Sequence, residues 1–108
     1  MSKADLKAGS RTWRTGPHRL RLYVAGSGPR SLRAVQNIKR VCDSELLGRY
    51  SLEVVDIYKE PGRAAEDQIV AIPTLIKQAP GLVRRMIGDL SETAVLRQGL
   101  GLGASLTP

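Results

Sequence analysis

Leu20, Leu22 and Val24 alternate with Arg21, Tyr23 and Ala25. A period of two predicts a strand over residues 20–25 with one face buried. Gly26-Ser27-Gly28-Pro29 then has turn chemistry; Ser27 or Ser31 is placed to cap a helix, and Pro29 suits its first turn. Leu32, Val35, Ile38, Cys42 and Leu46 fall on one helical face, opposite Arg30, Arg33, Lys39 and Arg40, and Gly48 stops the helix. Residues 52–58, rich in β-branched side chains, predict a second strand that Pro61-Gly62 ends. Residues 63–70 read as a short helix, 74–77 as a third strand, and 82–87 as a fourth after the turn Gln78-Ala79-Pro80-Gly81. Ser91 is the expected N-cap of a last helix, with Leu90 and Val95 spaced as a hydrophobic staple. Leu96, Leu100 and Leu102 supply its buried stripe, while Gly99, Gly101 and Gly103 weaken it by about 0.5–1 kcal/mol each relative to alanine.

The predicted order is βαβαββα, an α/β domain with a mixed four-stranded sheet and helices on both faces. Residues 1–18 lack apolar periodicity and read as a basic, flexible N-terminal tail; residues 19–108 form the single domain. The formal net charge is +7, which points to an acidic partner, a nucleic acid or an anionic surface. Nucleic acid is disfavoured, because Trp13, Tyr23, Tyr50 and Tyr58 form no evident stacking platform.

The candidate chemistry is thin. Cys42 is the only cysteine, so no intrachain disulfide can form, and its place deep in an apolar helical face reads as a core residue rather than a nucleophile. His18, the only histidine, reads as a solvated junction residue and cannot build a typical zinc site without several carboxylates. Glu66 and Asp67 are adjacent and read as a polar helix face, not a catalytic pair. Asp89 and Glu92 complement the dipole of the last helix. The Gly26–Ser31 loop is too short for a phosphate loop, and Pro29 removes a backbone donor. No apolar run is long enough to span a bilayer, and no secretory h-region is present, so a cytoplasmic protein without cofactor or metal is expected.

Val70-Ala71-Ile72-Pro73-Thr74-Leu75 resembles the central proline segment of thioredoxin-like domains, in which the Ile–Pro bond is often cis. The cysteine pair that would face this proline is absent from the Gly26–Ser31 loop. A redox scaffold without its redox pair points to a binding module.

Further segments resemble the KaiB family of circadian clock proteins. They are Leu22-Tyr23-Val24-Ala25-Gly26, Ser31-Leu32-Arg33-Ala34, Glu53-Val54-Val55-Asp56, Ala65-Glu66-Asp67, Ile72-Pro73-Thr74-Leu75 and Val83-Arg84-Arg85-Met86-Ile87-Gly88-Asp89-Leu90-Ser91. The resemblance implies a non-catalytic clock or timing adaptor that binds the KaiC ATPase and modulates its phosphorylation cycle, with KaiA as a further partner where it exists. It implies a resting homodimer or homotetramer of order βαββααβ, and a thioredoxin-like KaiC-binding monomer that differs from about Pro61 on. It implies partner-binding roles for Arg33, Arg84, Arg85 and Gln68, and fold-switch roles for Pro73, Pro80, Gly99 and Gly101. Gly101 departs from the aspartate usual in the family, the hairpin prolines are reduced to Pro80, and the acidic C-terminal tail of cyanobacterial members is missing. The competing readings are a SasA-type sensor-like domain that docks on KaiC, and a basic nucleic-acid-binding module.

Overall fold

A computed structural model describes residues 16–102. The elements are β1 (His18–Val24), α1 (Pro29–Glu45), β2 (Tyr50–Asp56), α2 (Pro61–Glu66), β3 (Thr74–Ala79), β4 (Arg84–Ile87) and α3 (Thr93–Gly99). This is the thioredoxin-like order βαβαββα, not the alternative βαββααβ. The sheet runs β2-β1-β3-β4, with β1 parallel to β2 and antiparallel to β3, and β3 antiparallel to β4. The Ile72–Pro73 and Ala79–Pro80 bonds are both cis.

Alternation along β1 decides which layer each side chain joins. Leu20, Leu22 and Val24 face the larger core, with Ile38, Val41 and Cys42 of α1, Leu75 of β3, Met86 of β4, and Leu96 and Leu100 from the C-terminal segment. Tyr23 points the other way. It forms a smaller cluster with Val55 and Ile76, covered by Ala64, Ile69 and Ile72. Full burial of each large aliphatic side chain contributes about 1.5–3 kcal/mol, so the larger cluster carries most of the apolar stabilisation.

Several local expectations need correction. Leu32 is 53% exposed; the buried stripe of α1 is Ser31, Ala34, Ile38, Val41 and Cys42, rotated by about one position. Gly28 stands at the N-cap of α1, and neither Ser27 nor Ser31 donates or accepts a capping bond there, whereas Pro29 does open the helix. Ser31 is instead buried. The chain leaves α1 through Leu47 (φ 50°) and Gly48 (φ 83°); glycine adopts this conformation at little cost. Glu92, not Ser91, is the N-cap of α3, and the Leu90–Val95 staple is absent: Leu90 is buried while Val95 is 55% exposed. β4 begins at Arg84, leaving Leu82 and Val83 exposed before it.

His18 is not a solvated junction residue. It is the first residue of β1, buried, with Nε2 2.7 Å from the carbonyl oxygen of Leu100. Residues 1–15 and 103–108, including Trp13 and Gly103, lie outside the described residues.

Candidate functional site

β4 is an edge strand, and the arginines expected to bind a partner are placed on it by the alternation of the sheet. Met86 is turned into the larger core, so Arg84 shares its face of the sheet. The Arg84 side chain is exposed and makes no hydrogen bond or ion pair among the described residues. Arg85 lies on the opposite face. Its guanidinium donates to the carbonyl oxygens of Asp67 and, at 3.2 Å, of Gln68. Gln68 is exposed and adopts a left-handed conformation, φ 55°, which turns its carbonyl towards Arg85. Thus Arg84, Arg85 and Gln68 gather at the β4 side of the molecule. Arg33, on α1, reaches the segment after β4 through Asp89 Oδ2 at 3.3 Å.

Asp89 organises that segment. Its Oδ1 accepts from the Ser91 amide at 3.1 Å, and its backbone oxygen accepts from Asn37 Nδ2 at 2.8 Å. The Ser91 bonds and the Arg33 guanidinium hold the Asp89 carboxyl below the usual range. α3 is fastened to α1 by Arg97–Glu45 and by Arg40 Nη2 to Thr93 Oγ1 at 3.2 Å.

A second polar constellation lies under the sheet, where sequence reasoning placed only a polar helix face. Tyr23 Oη donates to Asp67 Oδ2 at 2.5 Å, and Arg21 Nη1 donates to the same oxygen at 3.1 Å. Arg21 Nε also bonds Glu53 Oε1 at 2.9 Å, and Arg63 Nη1 bonds Glu53 Oε2 at 2.7 Å. The hydrogen bond from Arg63, then that from Arg21, pulls the Glu53 carboxyl down to about 2. The hydrogen bond from Tyr23 is the main cause of the lowered Asp67 carboxyl. The network ties α2 to β1 and β2. Its one sequence signal was the shared parity of Arg21 and Tyr23, which puts them on one face of β1.

The four expected fold-switch positions do not converge. Pro73 and Pro80 bracket β3, one at each end, and are both buried. Gly99 closes α3 against β4: a Cβ built there would lie 2.2 Å from Met86 Sδ. Gly101 lies beyond the C-cap Leu100, with φ 81°.

Cys42 is not set up as a nucleophile. Cys42 is fully buried, and burial pushes its thiol up to about 11, with the Asp43 charge as a lesser cause. Among the described residues no cluster of His, Cys, Asp or Glu could hold a metal ion, and no helix is long and apolar enough to cross a membrane.

Comparison with known proteins bears on the same residues. The family model described as the KaiB domain matches residues 21–102. The circadian clock oscillator protein KaiB of Synechococcus sp. (strain RCC307) is 48% identical over 83 residues, covering 77% of this chain and 76% of that relative. The circadian clock protein KaiB3 of Synechocystis sp. (strain PCC 6803) is 43% identical over 83 residues, covering 77% of this chain and 81% of its own. Among solved structures, the N-terminal domain of Synechococcus elongatus SasA superposes with a TM-score of 0.69 at 25% identity, over 85% of this chain and 87% of that domain. Chloroplastic thioredoxin z reaches a TM-score of 0.67 at 17% identity, over 97% of this chain and 92% of its own, a likeness of fold alone.

Proposed function

The chain belongs to the KaiB family of circadian clock proteins, and on that premise we propose that it is a non-catalytic clock or timing adaptor that docks on a KaiC-type ATPase. The observation that carries this reading is the exposed, cationic β4 edge, where Arg84 lacks a partner among the described residues and Arg85 and Gln68 lie beside it. Its likeness to the SasA N-terminal domain supports a fold of this shape in a clock setting. The adaptor works in the cytoplasm, without cofactor. Its docking form is the thioredoxin-like monomer, and its resting form is a homodimer or homotetramer that rearranges from about Pro61 on, with Pro73, Pro80, Gly99 and Gly101 in the rearranging part. Where a KaiA-type protein exists, it is a second partner of the docked adaptor.

A nucleic-acid module fits less well. Tyr23 is fully buried and Tyr50 is hydrogen-bonded to Asp43 at 2.7 Å, which leaves Tyr58 as the one freely exposed aromatic side chain among the described residues. One ring gives no platform for successive bases.

The test is co-purification with the KaiC-type ATPase of the same genome, with and without ATP. Charge reversal at Arg33, Arg84 and Arg85 is expected to weaken association without unfolding the protein, and the Arg84 variant is expected to keep the unfolding midpoint nearest the parent's because its side chain has no bond to lose among the described residues. Unchanged affinity in all three variants removes the proposed docking surface.

A further inference from the structure

β4 closes one side of the sheet with four residues, and no strand pairs with its outer edge among the described residues. An uncovered edge presents backbone donors and acceptors that can pair with another chain. A groove runs beside this edge, between β4 and α3. One cavity of about 400 Å³ is lined by Arg84, Arg85, Met86, Val95, Gln98 and Gly99. A second, of about 390 Å³, adjoins it and shares Arg85, Met86 and Val95. Ile87 (61% exposed) and Val95 (55% exposed) add apolar surface that this fold leaves bare.

The occupant's chemistry follows from the two faces of the strand. Arg84 and Met86 look toward α3, whereas Arg85 and Ile87 look toward α2. A strand laid antiparallel on β4 meets Ile87, Met86, Arg85 and Arg84 in that order. Directly opposed side chains interact most strongly, so it matches best with two apolar residues followed by two acidic ones. A second copy of this chain fits poorly, since its own β4 would bring four guanidinium groups onto one short ladder. β2, the other edge, lacks this charge: its central Glu53 is already taken by Arg21 and Arg63.

We infer that the free edge of β4 takes up an extended segment of a partner protein as a fifth strand, and that this segment carries two apolar residues followed by two acidic ones. The inference deepens the docking surface proposed above and rests on that reading for the partner's identity.

Backbone amide exchange at residues 84–87 tests it, in the complex with the ATPase and with a synthetic peptide, acetyl-Thr-Val-Ile-Glu-Glu-Thr-amide. Exchange at the outward-facing β4 amides is expected to slow by about tenfold or more on binding. Arg84→Glu is expected to weaken the peptide by about tenfold and to favour the counterpart in which Lys-Lys replaces Glu-Glu. Arg84 has no partner to lose, so this variant keeps the fold. Protection in both arms supports the inference. Protection by the peptide without any complex supports the strand addition and overturns docking on the ATPase. A complex that leaves β4 unprotected overturns the strand addition and leaves the docking reading intact. Protection in the complex but not with the peptide keeps the added strand and overturns the apolar–acidic pattern. No complex and no protection by the peptide overturn inference and docking reading together.

Discussion

His18 and Leu100 stand 82 positions apart in the chain, yet the imidazole Nε2 lies 2.7 Å from the Leu100 carbonyl oxygen. The bond joins the first residue of β1 to the C-cap of α3, so it holds the last helix over the sheet. In the neutral ring, Nε2–H donates to that carbonyl. Burial, and to a lesser degree the charges of Lys77 and Arg49, lowers the His18 pKa below its ordinary value of 6.5; the bond to Leu100 opposes this without cancelling it. A depressed histidine favours the neutral folded form. Its stabilising contribution is therefore full above pH 6.5 and is lost progressively as pH falls through the folded-state value. Urea unfolding from pH 8 to pH 5 is expected to show this decline, and His18→Gln is expected to flatten it. His18→Ala is expected to cost about 1–3 kcal/mol at pH 7.5, from an unsatisfied carbonyl and lost packing.

Gly99 reflects how closely α3 approaches β4. A methyl group there meets Met86 Sδ at 2.2 Å, so the thioether must move. Methionine is flexible, and Met86 borders a cavity of about 400 Å³ into which its end can swing. Gly99→Ala is therefore expected to keep most of the intrinsic helix gain, a net stabilisation of about 0.5 kcal/mol. In a Met86→Ile background the stiffer side chain cannot yield, and Gly99→Ala is expected to cost about 1–3 kcal/mol. A double-mutant cycle measured by chemical denaturation reads the change of sign.

The polar network beneath the sheet predicts an acid limb. Glu53 is held near 2 by Arg63 and Arg21, and Asp67 is also lowered. Carboxylates depressed in the folded state stabilise it above their unfolded values, about 4–4.5, and lose that contribution as pH falls through the folded ones. Glu53 is nearly half exposed, so its share is modest. Glu53→Gln is expected to flatten stability between pH 4.5 and pH 2 while changing it by less than about 1 kcal/mol at pH 7. Thermal unfolding at fixed ionic strength checks this.

Cys42 predicts inertness. A fully buried thiol pushed up to about 11 supplies almost no thiolate at pH 8. Iodoacetamide is expected to label it only after unfolding. Insulin disulfides are expected to persist with the protein present. Turnover that vanishes in Cys42→Ser would contradict this.

What the residues disclosed and what they hid differ in kind. Element order was legible because β1 alternates cleanly and because Pro29, Gly48, Pro61 and Gly88 punctuate the chain. Leu32 was misassigned because one apolar residue beside the true stripe reads as part of it; only the angle at which α1 packs on the sheet decides. His18 and Asp67 were misread for another reason. Each gets its partner from a distant element, Leu100 for one and Arg21 with Tyr23 for the other, and local pattern carries no record of such pairs. The cationic β4 edge was visible as Arg84-Arg85, but the groove beside it needed the placement of α3.

The last expectation concerns a second packing of the C-terminal half. α3 is only seven residues long and ends on Gly99, and a helix that short has little stability of its own. Leu82, Val83, Ile87 and Val95 leave apolar side chains 67%, 64%, 61% and 55% exposed, all after β3. Before α2, β1 and α1 build most of the larger core, although Leu47 and Tyr58 are exposed there too. Surplus apolar surface beside weak local helix signals is the condition under which two packings of one segment lie close in energy. A gap of about 3 kcal/mol leaves the minor form on the order of 1% populated, and a partner that binds one form draws the other into it. NMR spectra sensitive to a species on the order of 1% are therefore expected to show a weak second set of resonances for residues 61–102 and a single set for residues 20–58, with the ratio dependent on protein concentration if the second form is an oligomer. Gly99→Ala is expected to shift the ratio toward the thioredoxin-like form, by about twofold for the 0.5 kcal/mol argued above. Excess KaiC-type ATPase is expected to shift it the same way. A single set at every temperature and concentration, unmoved by that substitution and by the ATPase, would rule out a second packing in this chain.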